Sequence, residues 1–235
     1  MFTDNAVAGK PAAEATRLPA SLTPVLVERL ARGVTAGPAE RVTACAPYSG
    51  APIAKLPASA PEDVIAAFLA ARRAQRAWQA MPIGQRKRIM LRFHDLVLAR
   101  QDEILDLIQA ENGKSRRDAF LEVADIALTA RYYARSAGAQ LRPRRRRGAF
   151  PVLTRTTELR HPKGVVGIVS PRNYPFSLAV GDTIPALLAG NAVVQKPDIQ
   201  TALCALWRPS CCMRPAFPRG CGRSCWAPGV RSGRR

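Results

Sequence analysis

The chain has 235 residues, 47% of them apolar, which is enough for a real core and excludes disorder throughout. Its formal charge of +19 is unevenly placed: seven arginines and no lysine or acid lie in 208–235, leaving 29 basic and 17 acidic groups before them, and five more arginines crowd 142–147. No aromatic residues interleave those arginines to form a stacking platform, so nucleic acid is disfavoured as a partner. The first ten residues show neither a basic start nor an apolar run of signal length, and no segment is long and apolar enough to span a bilayer; the expectation is a cytoplasmic, soluble protein.

Residues 1–40 are rich in Ala and Pro, with one weakly periodic stretch at 22–30, and read as a loose arm carrying a short helix. The turn at 47–52 (PYSGAP) is flanked by 41–44 and 53–56, which pair as a hairpin. Ser59 is the candidate N-cap of a first long helix, with Pro61, Glu62 and Asp63 in its first turn and Val64, Phe68, Ala71, Gln75 and Trp78 along one face. A second helix opens near Pro82 and buries Ile83, Ile89, Met90, Phe93, Leu96 and Val97; a third presents Ile104, Leu105, Leu107 and Ile108 before Asn112 and Gly113 stop it. A lone histidine, His94, sits in the second helix and takes no catalytic role. A fourth helix runs from Ser115 towards Gly138.

The character changes at 141–161. A basic turn leads into 150–160, where bulky and polar residues alternate as in an exposed strand or hairpin arm, either blunted by its arginines or covered by a second subunit. Residues 165–170 then form a short β-branched run bounded by Gly and Pro, the mark of a buried parallel strand; 176–190 reads as a helix ending on a glycine, and 191–195 as the next strand. Cys45 stands alone, while Cys204, Cys211, Cys212, Cys221 and Cys225 crowd the end in a spacing that fits no zinc pattern, so no metal site is assigned.

Two segments, 162–175 (PKGVVGIVSPRNYP) and 185–197 (PALLAGNAVVQKP), together with 71–78 (ARRAQRAW), 111–114 (ENGK) and 131–134 (RYYA), resemble the N-terminal part of the aldehyde dehydrogenase superfamily over residues 47–207. The run 141–156 further resembles the succinate-semialdehyde dehydrogenase branch. The resemblance implies an α/β fold, an incomplete Rossmann-like parallel sheet with an N-terminal helical region and a β-hairpin oligomerisation arm. The units are an arm at 1–46, the helical part of the cofactor-binding domain at 47–140, the hairpin at 141–161, the strand-helix-strand at 162–207 and a tail at 208–235. It implies NAD(P)-dependent oxidation of an aldehyde to the acid by a homo-oligomer, with Asn173 as the amide donor to the oxyanion, and Ser170, Pro171, Arg172, Lys196, Pro197 and Asp198 at the cofactor.

Ile199 stands where many NAD-preferring relatives carry a ribose-binding glutamate, which favours NADP over NAD. Arg172 replaces the usual tryptophan and is expected to disrupt an apolar wall beside the cofactor, impairing its binding. After Trp207 the expected pattern stops: the glycine-rich turn, general-base glutamate and nucleophilic cysteine are absent. The tail lacks amphipathic period and, shifted by one base, reads as a helix (APELLYEAGLPA) and a strand (WQVVLG), the expectation being a frameshifted, inactive copy whose cofactor sheet holds two strands. The reading from a different class is a non-enzymatic basic protein that binds nucleic acid or anionic surfaces.

Overall fold

The computed structural model describes residues 19–37, 41–150, 153–208 and 222–224. Helix α1 (Pro24–Ala31) is capped by Thr23, whose hydroxyl accepts from the Leu26 N–H. Strands β1 (Arg41–Cys45) and β2 (Pro52–Pro57) pair antiparallel across the anticipated turn, with a bulge between Ala44 and Cys45.

Four helices follow. In α2 (Pro61–Ala80) the N-cap is Ala60 rather than Ser59: the Ser59 hydroxyl donates to the Thr35 carbonyl, and the Asp63 carboxylate accepts the Ala60 N–H. Its buried stripe is Ala67, Ala71, Gln75 and Trp78; Val64 and Phe68, expected on that face, are 40% and 48% exposed, because the stripe passes through Ala67, one position from Phe68. In α3 (Ile83–Ala99) Ile89, Met90, Phe93 and Val97 are buried as expected, with Ile83 and Leu96 half-buried. Helix α4 (Gln101–Asn112) buries its four expected apolar residues and ends where Gly113 turns left-handed at φ 79°, a conformation that suits glycine. Ser115 caps α5 (Arg116–Leu141) by accepting from the Asp118 N–H. Helix α5 packs along α3 and α4 and carries an alanine-rich buried face.

The hairpin arm pairs β3 (Arg144–Arg146) with β4 (Thr156–Glu158), antiparallel and largely exposed. Beyond it β5 (Val165–Val169) and β6 (Ala192–Lys196) lie parallel, in register from Val165–Ala192 to Val169–Lys196. The connecting helix is two pieces, α6 (Ser177–Gly181) and α7 (Thr183–Leu188). Pro185 causes the break, since it has no N–H to return to the Gly181 carbonyl. Gly190, at φ 91°, then turns the chain into β6. A short α8 (Ala202–Leu206) follows.

Two expectations about the sheet are corrected. Val169 is 77% exposed and only Ile168 of β5 is buried, and among the described residues β5 lies at one side of the order β5-β6-β7. A third parallel strand, β7 (Gly222–Ser224), is present in the segment set apart as a tail, pairing Val193–Gly222 to Gln195–Ser224 along the free side of β6. Apart from Arg208, the remainder of that tail, including Cys211, Cys212, Cys221 and Cys225, lies outside the described residues. Trp207 is fully buried against Phe93 and Phe176, joining the helical layer to the strand-helix-strand unit in one core. No helix among the described residues is long and apolar enough to cross a membrane.

Candidate functional site

The carboxyl ends of β5 and β6 meet at one place. The Ser170 N–H donates to the Lys196 carbonyl at 3.1 Å, carrying the ladder one step past the strand, so Ser170 and Lys196 stand side by side where parallel α/β sheets open a crevice. Ser170 is buried; Lys196 is half-buried, and its ammonium has no carboxylate partner among the described residues. Gln195, fully buried behind them, donates to the Ala179 carbonyl at 3.1 Å and so ties β6 to α6.

Pro171, Arg172, Asn173 and Tyr174 form an exposed loop after β5. The Arg172 carbonyl accepts from the Asn112 amide at 2.7 Å, and its guanidinium donates to Gln200 at 2.7 Å, spanning from the loop after β5 to the loop after β6. Asp198 accepts from the Gln200 N–H at 2.9 Å, and Pro197 is buried between. The Asn173 side-chain oxygen accepts from the Tyr174 N–H at 3.1 Å, leaving its NH2 group directed at no described acceptor. The expected residues thus fall into two groups: Ser170, Lys196, Pro197 and Asp198 at and just after the paired strand ends, and Pro171, Arg172 and Asn173 on the exposed loop.

Two buried carboxylates behind this edge were not singled out for it in the sequence. Glu122 accepts from Phe176 N–H at 2.9 Å and Ser177 N–H at 3.0 Å, satisfying the first donors of α6, and takes the Lys114 ammonium at 2.6 Å. Lys114 also sits 3.7 Å from the centre of the Tyr174 ring, so one ion pair holds the chain that follows Asn173. Glu111 does the same for α8, accepting from Leu203 N–H at 2.8 Å and Cys204 N–H at 2.6 Å. No cation pairs with it among the described residues, and burial pushes its carboxyl up to about 7 against the lowering pull of those N–H groups. The signal was available: Glu122 falls on the face of Ala119, Val123 and Ile126, and Glu111 on that of Leu107 and Ile108, where a charge must find a partner.

Neither described cysteine is placed as a nucleophile. Cys45 is exposed on β1; Cys204 is buried in α8, where burial and the nearby Glu111 carboxylate push its thiol well above the ordinary range.

A parallel strand-helix-strand unit joined to a layer of helices has the architecture of a partial Rossmann-like α/β domain. The comparisons are more specific. The profile of the aldehyde dehydrogenase family matches residues 34–233. The chain is 48% identical over 172 residues to a Mycolicibacterium smegmatis protein named "Putative succinate-semialdehyde dehydrogenase [NADP(+)]", an alignment covering 73% of this chain and 33% of that one. Among solved structures it resembles the NADP-dependent glyceraldehyde-3-phosphate dehydrogenase of Bacillus halodurans complexed with NADP, at TM-score 0.73 and 32% identity over 81% of this chain and 40% of the other. It also resembles the NAD-dependent benzaldehyde dehydrogenase of Corynebacterium glutamicum, at TM-score 0.74 and 28% identity over 84% and 43%. The chain belongs to the aldehyde dehydrogenase family, and it spans about a third of the length of the curated relatives it matches.

Proposed function

We propose that this chain supplies the first part of the dinucleotide site of an aldehyde dehydrogenase that prefers NADP and acts on a small carboxylated aldehyde of the succinate-semialdehyde kind. The observation that carries this reading is the pairing of Ser170 with Lys196 at adjoining parallel strand ends. The residues fit the ribose end of the cofactor: an ammonium without a carboxylate partner offers a 2'-phosphate its countercharge, Ile199 sets no carboxylate against it, and Asp198 is engaged by the Gln200 N–H. Bound there, the cofactor would accept the hydride from the aldehyde carbon.

Asn173 would donate its free amide N–H to the oxyanion that forms on the aldehyde oxygen, a fixed dipole that does not compete as a base. Glu122 and Lys114 position that loop from behind. Arg172 spans to Gln200 beside the strand-end crevice, where in place of an apolar side chain it would disrupt the wall against the cofactor and weaken its binding. The hairpin arm would pair with a second copy of the chain, covering its exposed strands. Neither described cysteine suits the nucleophile's role, so on this reading the chain alone does not turn over.

The test is a fluorescence titration of the purified chain with NADPH and NADH. Tighter NADPH binding is expected, with Ile199→Glu reversing the preference by about tenfold, the worth of one charge-assisted contact. Equal affinity for both in the unaltered chain rejects the preference, and NADPH formation from succinate semialdehyde rejects the inactivity.

A further inference from the structure

Far from the strand ends, a cavity of about 430 Å³ opens where the end of α2, the start of α3 and the end of α5 meet the base of the hairpin arm. Its wall carries three guanidinium groups, Arg86, Arg142 and Arg160, and no acidic side chain. A volume of this size belongs to the range of small-molecule sites.

The three arginines differ in what they already hold. Arg86 is only 8% exposed and directs Nη1 at the carbonyls of Trp78, Gln79 and Met81, between 3.0 and 3.2 Å, closing the end of α2. Its Nε, itself buried, has no hydrogen-bond partner among the described residues. Arg160 donates Nη1 to the Gln140 carbonyl at 2.8 Å and lies 3.3 Å from Glu158, an acid shared with Arg146 at 2.6 Å outside the cavity. Arg142 is exposed at the C-cap of α5 and has no carboxylate partner among the described residues. One whole guanidinium, that of Arg142, therefore remains unspent on the wall of a cavity that carries no acidic side chain. A buried cation without a carboxylate is costly, and burial lowers the Arg86 pKa; an entering anion would relieve both. Guanidinium forks match oxyanions in shape as well as charge. The apolar remainder, with Ile83 and Leu141, limits the polar part of any guest to a compact head.

We propose that this cavity is a binding site for a small oxyanion of the phosphate or carboxylate class, held by Arg142 and Arg160 above the buried Arg86. The site is separate from the Ser170–Lys196 edge and rests on no part of the cofactor reading.

The experiment is thermal unfolding of the full chain in sodium phosphate, sodium acetate and sodium chloride at matched ionic strength. Phosphate, acetate or both should raise the midpoint above chloride, and which of them does so names the guest's head group. Arg142→Glu should weaken the apparent affinity by at least about tenfold, the loss of one hydrogen bond to a charged group. Arg142→Gln gives the same reading with less disturbance should the charge reversal lower the midpoint in chloride. Lys196→Ala should leave the response intact. No excess over chloride, an unchanged response in both Arg142 variants, or its loss in Lys196→Ala overturns the proposal.

Discussion

The starts of α6 and α8 are built on the same plan and differ in one charge. Each is a short helix behind the strand ends, and each gives its first N–H groups to a glutamate buried on a neighbouring helix. Glu122, under α6, has the Lys114 ammonium; Glu111, under α8, has none among the described residues. An ion pair fixes the loop that bears Asn173, whereas the helix that follows Lys196 is held by a carboxyl that titrates near neutral pH. Backbone N–H groups hold both carboxylates in place; at Glu111, with no counter-ion among the described residues, burial outweighs them and raises the pKa.

The comparison breaks first at Glu122. Glu122→Gln should cost about 4 kcal/mol in chemical denaturation, since it strands Lys114 in a mostly buried site. A cost under about 1 kcal/mol would show that Lys114 relaxes to solvent and that the pair is not what secures α6.

Glu111 gives the next largest effect, visible only against pH. Its folded pKa lies above the unfolded 4.5, so the folded chain holds a proton the unfolded chain has released; stability is greatest below that window and falls as pH rises through 7. The difference between the unaltered chain and Glu111→Gln should fall by roughly 3 kcal/mol from pH 5 to pH 8. A flat difference would mean the two N–H bonds hold the carboxylate ionised throughout.

Ser115→Ala supplies the smallest effect and a scale for the other two. That cap of α5 is exposed and neutral, so about 1 kcal/mol is expected in the same denaturation series.

Periodicity made the helices legible: the faces of α3 and α4, the stop at Gly113 and the pairing of β1 with β2 follow from local pattern. What it misplaced depended on remote partners. Ser59 has the chemistry of a cap, but the Thr35 carbonyl claims its hydroxyl. Phe68 continues the stripe of Ala71 and Trp78, yet it is half exposed and Ala67 beside it takes the buried place. Residues 165–170 have the composition of a central strand, and only the sheet order reveals β5 as an outer one. At the candidate site the parallel direction of the two strands was legible, because a helical crossover joins them, and it is this direction that puts Ser170 beside Lys196. The supports were hidden: Glu111, Glu122 and Lys114 lie up to 93 positions from the groups they hold, a distance no local pattern spans.

Trp207 gives the molecule a built-in optical reporter. Its ring lies between Phe93 of the helical layer and Phe176 of the strand unit, and its indole N–H reaches Glu103 on α4. Loosening either side would open the ring to water and shift its emission to the red. The helices and the parallel strands should therefore melt in a single cooperative step, with no stage at which one half keeps its structure after the other has lost it.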